Sequence, residues 1–145
     1  MFNRRMLSAE EMSDRLELQD LLISYSEAID RREFDELDDI FTADAYIDYR
    51  DTGGIDGQYP QIKAWLAETL PTYFERNAHM LGLPAIRLAG DTATARTFCF
   101  NPMVLKGEKP KVMQVGVWYD DEFVRTADGW RLFRRVEVKL YDKIL

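Results

Sequence analysis

Three long stretches of alternating apolar and polar residues fill the second half of this chain. They run from Thr92 to Leu105, from Val112 to Val124 and from Trp130 to Tyr141, and such alternation is typical of strands with one buried face. A polar loop over residues 106–110 separates the first two, and the turn Ala127–Gly129 separates the last two. Because consecutive strands joined by short turns pair in antiparallel fashion, this half predicts one antiparallel sheet.

The first half of the chain shows helical spacing instead. Ser8 and Glu11 form a capping-box pattern that begins a helix, and apolar residues then recur every three or four positions to about Asp30. A short second helix is predicted over residues 34–41 by the same spacing. These two helices precede any strand.

One short strand, Ala45–Arg50, and a third helix complete the order of elements. Pro60 suits the first turn of that helix, and Pro71 is expected to interrupt or restart it. The order predicts an α+β fold, a curved antiparallel sheet that forms a cone covered by three helices. The open end of such a cone offers a small-molecule cavity, and the 145 residues suit one domain over positions 1–145.

Charge and composition exclude several classes of function. The chain has 26 acidic and 19 basic residues, a net charge of -7, which gives nucleic acid or an anionic membrane little to bind. Its single cysteine, Cys99, allows no intrachain disulfide, which is typical of a reducing cytoplasm. We also expect no metal or other cofactor, because one histidine among scattered carboxylates lacks ligand spacing and no glycine-rich phosphate loop occurs. No membrane-length apolar run or signal peptide is recognisable, so we expect a cytoplasmic protein.

His79 is the only histidine and lies between apolar residues, just before the long strands. Imidazole is the one side chain whose unperturbed pKa lies near neutrality, so this residue is the first candidate for proton transfer. A core histidine bonded only to backbone is the commoner explanation of such a position. Composition and spacing alone leave both roles open.

Several local strings resemble the SnoaL-like branch of the nuclear-transport-factor-2-like superfamily, which has a cystatin-like α+β fold. In the first half they are residues 21–30 (LLISYSEAID), 34–35 (FD), 41–45 (FTADA) and 46–49 (YIDY). In the second half they are residues 79–80 (HM), 91–96 (DTATAR) and 128–131 (DGWR). The likeness spans nearly the whole chain and implies the fold expected above. It implies no single activity, since this superfamily includes dehydratases, isomerases, cyclases, hydrolases and non-catalytic domains.

Within this branch the chain is most similar to scytalone dehydratase and bile-acid 7α-dehydratase, cofactor-independent lyases of polycyclic substrates. The resemblance makes His79 the catalytic base. It places Tyr25 and Asp30 where those enzymes, in part, carry an acidic hydroxyl and a carboxylate at the end of the first helix. Tyr49 resembles a second substrate-facing tyrosine of the scytalone enzyme. Asn101 departs from both enzymes, which have a histidine or an aspartate there, so the proton relay of this chain would differ.

Two other branches of the superfamily fit the sequence less well. Limonene epoxide hydrolases resemble this fold but need an Arg-x-Asp pair on a strand, whereas Arg96 is followed by Thr97 and Phe98. Ketosteroid isomerases share a tyrosine near the position of Tyr25. Their aspartate base lies near the position of Asp48 and Tyr49, so in this chain it would be missing or shifted. Neither mechanism matches the residues present.

Each of these residues also has a structural explanation. Tyr25 lies in the apolar stripe of the first helix and fits a core role. Asp30 could cap the helix end or pair with Arg31. Tyr49 could be an ordinary strand aromatic, and Asn101, which precedes a proline, could serve a turn.

We predict a cofactor-independent lyase that acts on a hydrophobic cyclic or aromatic hydroxylated small molecule by general base catalysis through His79. Asp30 would orient the imidazole, and Tyr25 and Tyr49 would donate hydrogen bonds to developing charge. Dehydration and an aldehyde-releasing retro-aldol cleavage use the same groups, so the residues do not separate them. The predicted substrate-binding residues are Tyr49, Asn101, Trp65, Met80 and Trp118.

Two other classes of function stay open. One is a non-catalytic binding or assembly domain, such as the small subunit of a ring-hydroxylating dioxygenase, and the other is an isomerase or cyclase of the same fold. Because the long strands of such a sheet commonly need covering, we expect a homo-oligomer. The resemblance implies a trimer or a dimer. The expected partner is a small hydrophobic molecule, because the net charge of -7 disfavours nucleic acid and an anionic membrane.

Overall fold

The first helix begins at a capping box and ends at Asp30. In the computed structural model, which describes residues 5–145, α1 runs Ala9–Asp30. The Ser8 hydroxyl accepts a hydrogen bond from the Glu11 backbone at 3.1 Å, and the Glu11 carboxylate accepts one from the Ser8 backbone at 2.9 Å. The predicted start and end of this helix are confirmed. The first four residues of the predicted domain lie outside the described part of the chain.

The predicted second helix is a 3₁₀ helix of six residues, Phe34–Asp39. Phe41 does not belong to it, contrary to the prediction, but begins a strand and pairs with Leu132. Helices of this type are tight and short, so the segment serves as a connector between α1 and the sheet.

The last helix, α2, runs Tyr59–Tyr73, with Pro60 in its first turn as predicted. The expectation that Pro71 interrupts or restarts this helix is wrong, because one continuous helix runs through it to Tyr73. Pro71 lies in the last turn, where its missing N–H removes a single bond, and the Phe74 backbone still donates to the Leu70 carbonyl. The helix therefore keeps its full length beside the sheet.

Eight strands form one sheet within the described residues. They are β1 (Phe41–Asp48), β2 (Asp56–Gln58), β3 (Phe74–Asn77), β4 (Met80–Leu81), β5 (Ala85–Ala89), β6 (Thr92–Leu105), β7 (Val112–Thr126) and β8 (Gly129–Ile144). The order along the sheet is β2-β1-β8-β7-β6-β3, and β4 and β5 also pair with β6. The three predicted long strands are thus β6, β7 and β8, and the α+β fold is confirmed.

One strand pair departs from the antiparallel sheet that the sequence predicted. β1 runs parallel to β8, with Tyr46 opposite Arg134. A parallel pair requires a long connection, and here the whole chain between β1 and β8 supplies it. Register shifts at Gly116/Val117 and Glu122/Phe123 of β7 mark bulges, which bend the strands that carry them. The result is a curved, open sheet of mixed direction.

The core lies between the two α-helices and one face of the sheet. Its fully buried members include Leu18 of α1, Ile62 of α2 and Leu132 of β8. Beside this core is a cavity of about 400 Å³ that is lined by residues of α1, α2 and the long strands. Among the helices of residues 5–145, none combines the length and hydropathy of a membrane-spanning segment.

Candidate active site

His79 lies between β3 and β4 and is bonded twice to the last residue of α1. Its ring nitrogen Nδ1 is 2.6 Å from Oδ1 of Asp30, and its backbone N–H donates to Oδ2 at 3.0 Å. The imidazole side chain is 3 % exposed and lines the cavity. Asp30 is not part of the cavity lining, so it binds the ring on the side that faces away from the cavity.

The Asp30 contact determines which ring nitrogen can act as a base. A carboxylate only accepts hydrogen bonds, so the Nδ1 of His79 carries the proton in this contact. Nε2 is then the nitrogen with a free lone pair. The arrangement suits an imidazole that takes a proton at Nε2 while the carboxylate stabilises the resulting cation.

A second layer of hydrogen bonds holds the Asp30 carboxylate. The amide of Asn77 donates to its Oδ1 at 2.7 Å, and Arg32 donates in turn to the amide oxygen of Asn77. Arg32, two residues after the helix end, adopts a left-handed backbone conformation with a φ of 62°, which is uncommon for a residue other than glycine. Such outer partners fix the geometry of the residues that perform chemistry.

Two buried tyrosines stand beside the imidazole. The hydroxyls of Tyr25 and Tyr49 are 2.6 Å apart, and we call these two residues the tyrosine pair. The Tyr25 ring meets the His79 ring edge-on, with 5.9 Å between centroids. Burial raises the pKa of Tyr25 to about 12 and raises the pKa of Tyr49 well above its ordinary value. Both hydroxyls are therefore protonated near neutral pH and can donate hydrogen bonds.

A buried ion pair packs against the Tyr25 ring of the tyrosine pair. The Arg135 guanidinium lies 4.3 Å from the centre of the Tyr25 ring and 3.9 Å from that of Tyr119. Its Nε and Nη2 donate to the two carboxylate oxygens of Asp121 at 2.8 and 2.9 Å. The cation lowers the pKa of Tyr25 against the larger effect of burial. Sequence analysis did not single out Arg135 or Asp121.

The cavity is mostly apolar. Its walls include aliphatic, aromatic and methionine side chains from α2 and the long strands, among them Trp65, Leu66, Leu70, Met103, Val115 and Val117. The polar groups that reach it are few, which is typical of small-molecule sites. Among them is Asn101, whose buried Oδ1 has no hydrogen-bond partner within the described part of the chain.

The structure gathers most, but not all, of the residues predicted from the sequence. His79, Tyr25, Tyr49, Trp65 and Asn101 line the cavity.

Met80 and Trp118 do not line the cavity, which corrects their predicted role. Met80 is 67 % exposed on the short strand β4. Trp118 lies on the opposite face of β7 from Val117, because side chains alternate along a strand, and its ring is covered by Arg96 at 4.9 Å. Neither side chain forms part of the cavity wall.

One carboxyl group of the cavity was missed entirely. Glu137 of β8 lines it, and the Thr52 hydroxyl lies 2.5 Å from its Oε2. Burial raises the pKa of this group to about 7. Because Glu137 lies between the apolar residues Val136 and Val138, the alternation pattern predicts that it faces solvent. For this reason sequence analysis did not identify it. Within residues 5–145, no three acidic, histidine or cysteine side chains come together as a possible metal site.

Comparison with known proteins identifies the family. The model of the SnoaL-like domain matches residues 10–136. An uncharacterized protein of Mycobacterium tuberculosis is 58 % identical over 143 residues, which cover 99 % of this chain and 97 % of that protein. The chain belongs to the SnoaL-like family, as the sequence motifs implied.

Solved structures share the fold over nearly the full length. A proposed aromatic ring hydroxylase from Novosphingobium aromaticivorans is 28 % identical, covers 92 % of this chain and 94 % of its own, and has a TM-score of 0.83. A proposed scytalone dehydratase from the same organism is 17 % identical, with 91 % and 87 % covered and a TM-score of 0.81. The second likeness, at that identity, shows the fold alone.

Proposed function

We propose that this member of the SnoaL-like family is a cofactor-independent lyase, a dehydratase or retro-aldol enzyme, with His79 as its general base. The observation that carries the proposal is the doubly bonded pair of His79 and Asp30, which opens on an apolar cavity beside the tyrosine pair. A proposed scytalone dehydratase shares this fold, so the fold can accommodate the proposed reaction.

The reaction begins with removal of a proton next to a substrate carbonyl. Nε2 of His79 takes this proton, and the imidazolium that forms is paired with Asp30. Negative charge then develops on the carbonyl oxygen. Of the two protons of the tyrosine pair, one lies between Tyr25 and Tyr49 and the other is available to that oxygen. This hydrogen bond holds both hydroxyls in place before the substrate binds, so the donor needs no reorganisation during the reaction.

The cavity favours a flat, ring-containing substrate with few polar groups. A volume of about 400 Å³ lies within the range of small-molecule sites. Its wall carries the indole of Trp65 on one side and β-branched and methionine side chains on the other. A hydrophobic cyclic or aromatic compound with a ketone and a hydroxyl group matches these surroundings.

A bicyclic β-hydroxy ketone tests the proposal. Loss of water from 3-hydroxy-1-tetralone gives 1-naphthol, whose fluorescence reports the rate and whose mass identifies the reaction. We expect turnover by the wild-type protein and its loss in His79→Ala. Met80→Ala, a change at the neighbouring residue outside the cavity, is the matched control and should keep the wild-type rate. Equal rates in all three proteins, or a product of unchanged mass, would refute a lyase that uses His79.

A second candidate is a non-catalytic subunit of an aromatic-ring-hydroxylating enzyme. The likeness to a proposed aromatic ring hydroxylase at 28 % identity favours it. Such a subunit has no need of a histidine and a carboxylate that open on an apolar cavity, so we rank it second. Purification of the protein from its native host together with a larger iron-containing chain, with no turnover of ketones, would reverse this ranking.

A further inference from the structure

Glu137 lines the same cavity as the tyrosine pair and the proposed base. It stands directly opposite Tyr119 on the neighbouring strand β7. The Tyr119 ring is 6.0 Å from the Tyr25 ring, which is 5.9 Å from the His79 ring. All four side chains line one cavity. The cavity therefore contains an imidazole, a carboxyl group and the donors for a carbonyl oxygen.

The partner of Glu137 can serve both protonation states of a carboxyl group. The Thr52 hydroxyl is within hydrogen-bond distance of Oε2 of Glu137 and of the Tyr49 carbonyl, at 2.5 and 3.1 Å. A protonated Glu137 can donate to this hydroxyl, which then donates to the carbonyl. An ionised Glu137 can accept from the same hydroxyl. The Tyr49 carbonyl then loses the Thr52 hydroxyl as a donor but still accepts from the Gly54 backbone at 2.9 Å. The carboxyl can lose and regain a proton without losing its partner.

Charged groups near Glu137 are already paired elsewhere. Arg135, two residues away on β8, is bound to Asp121 of β7 through two hydrogen bonds. Asp48 of β1 is bound to Arg50 at 2.8 Å. No cation is therefore dedicated to Glu137 among the contacts of the described residues. Burial dominates its environment and raises its pKa to about 7, which is suitable for an acid that acts near neutrality.

We propose that Glu137 is a second catalytic residue, the general acid that protonates the leaving hydroxyl. The C–O bond of the substrate breaks as the carboxyl proton moves to the departing oxygen, and water forms. His79 holds the proton taken from carbon, and Glu137 is left as a carboxylate that accepts from Thr52. Transfer of one proton from His79 to solvent and of one from solvent to Glu137 restores both groups, so atoms and charges balance.

This inference rests on the proposed lyase and narrows it to loss of water. Hydroxide is a poor leaving group and needs a proton from a general acid. A retro-aldol reaction breaks a carbon–carbon bond and releases no hydroxide, so it does not need this acid. It also supplies the second proton-transfer group that Asn101, as an amide, cannot provide. The two acid–base residues have separate tasks, and experiments can separate them.

Infrared spectroscopy tests the resting state of the acid. At pH 6 a difference spectrum of wild-type protein minus Glu137→Gln should contain the C=O band of a protonated carboxyl. The difference spectrum of wild-type protein minus Glu75→Gln, which replaces an exposed glutamate, should contain only the bands of a carboxylate. The result does not require a substrate. An ionised Glu137 at pH 6 would overturn the proposal by itself.

Two leaving groups test the catalytic role. The probes are 3-hydroxy-1-tetralone, which must lose water, and 3-acetoxy-1-tetralone, whose acetate leaves without protonation. We expect Glu137→Gln to slow loss of water by about 100-fold and to leave loss of acetate within a few-fold of wild type. Equal effects on both probes, or no effect on either, would refute the role of Glu137. Failure of His79→Ala to slow either probe would instead refute the base, and with it the proposed function.

Discussion

Asp30 holds His79 through two contacts, at 2.6 Å to the ring nitrogen Nδ1 and at 3.0 Å from the backbone N–H. One carboxylate therefore sets both the position of the residue and the orientation of its ring. The helix end and the loop before β4, 49 residues apart in sequence, meet at this point. Asn77 adds a third hydrogen bond to the same carboxylate, so the ring has little freedom to rotate.

Asp30→Asn should lower kcat, with some loss of stability because the amide NH2 group then faces the His79 backbone N–H. The amide can still accept from Nδ1, but it cannot neutralise the imidazolium that forms when Nε2 takes a proton. Loss of a carboxylate from a comparable triad has a large effect on kcat, and we expect a decrease of about 100-fold or more. The rate of 1-naphthol formation and the melting temperature should be measured together. A variant that changes only KM would contradict the role assigned to Asp30.

The tyrosine pair should behave as a unit. Because the two hydroxyls share a hydrogen bond of 2.6 Å, removal of either one disturbs the donor that remains. Tyr25→Phe and Tyr49→Phe are each expected to lower kcat by about 100-fold, as the loss of a fixed oxyanion donor does. The double variant should be little worse than the worse single one. Multiplicative effects of the two substitutions would indicate independent roles.

Glu137 should make the stability of the protein fall as the pH rises. Its pKa is raised from an ordinary 4.5 to about 7 in the folded state. Between these values the folded chain keeps a proton that the unfolded chain has released, so the free energy of unfolding decreases with increasing pH and the full cost is present above about 7. At about 1.4 kcal/mol per pKa unit, this cost is on the order of 3 kcal/mol.

Glu137→Gln removes this titration and provides the measurement. Urea unfolding of both proteins at pH 5 and pH 8 should show the variant gaining in stability relative to wild type at the higher pH. Because glutamine retains a donor for Thr52, the local packing stays comparable. A difference between the two proteins that does not change with pH would contradict the raised pKa.

Breaking the buried ion pair should destabilise the fold. The side chains of Arg135 and Asp121 are 1 % and 0 % exposed, so Asp121→Asn leaves a buried cation without its counterion. We expect a loss of about 3–5 kcal/mol in the free energy of unfolding, and a substantial recovery when Arg135→Met is combined with Asp121→Leu. Chemical denaturation of the single and double variants measures both. A loss below about 1 kcal/mol in Asp121→Asn would show that the pair is not needed.

The sequence predicted those features that depend on local patterns. The capping box of α1 and the three long strands follow from spacing within a few residues, and both are present. The positions of His79, Tyr25 and Asp30 came from family motifs rather than from spacing, which left them as core or capping residues.

Features that depend on distant partners could not be predicted. The hydrogen-bond partner of Glu137 is Thr52, 85 residues away in sequence, and the parallel pairing of β1 with β8 depends on the return of the last strand to the first. On β8 the charged residues Arg135 and Glu137 face inward, whereas the alternation pattern predicts that the apolar Val136 and Val138 do so. Only a compensating group such as Asp121 makes this arrangement possible, and no local pattern reports it.

Hydrogen exchange in a ketone that has no leaving group tests the central claim most directly. 1-Tetralone in D₂O can lose and regain a proton at its C2 carbon but cannot eliminate water, so exchange at C2 reports the base alone. We predict that the wild-type protein accelerates this exchange and that His79→Ala does not, whereas Glu137→Gln exchanges at the wild-type rate. Equal acceleration by wild type and His79→Ala, followed by NMR, would contradict the assignment of His79 as the base.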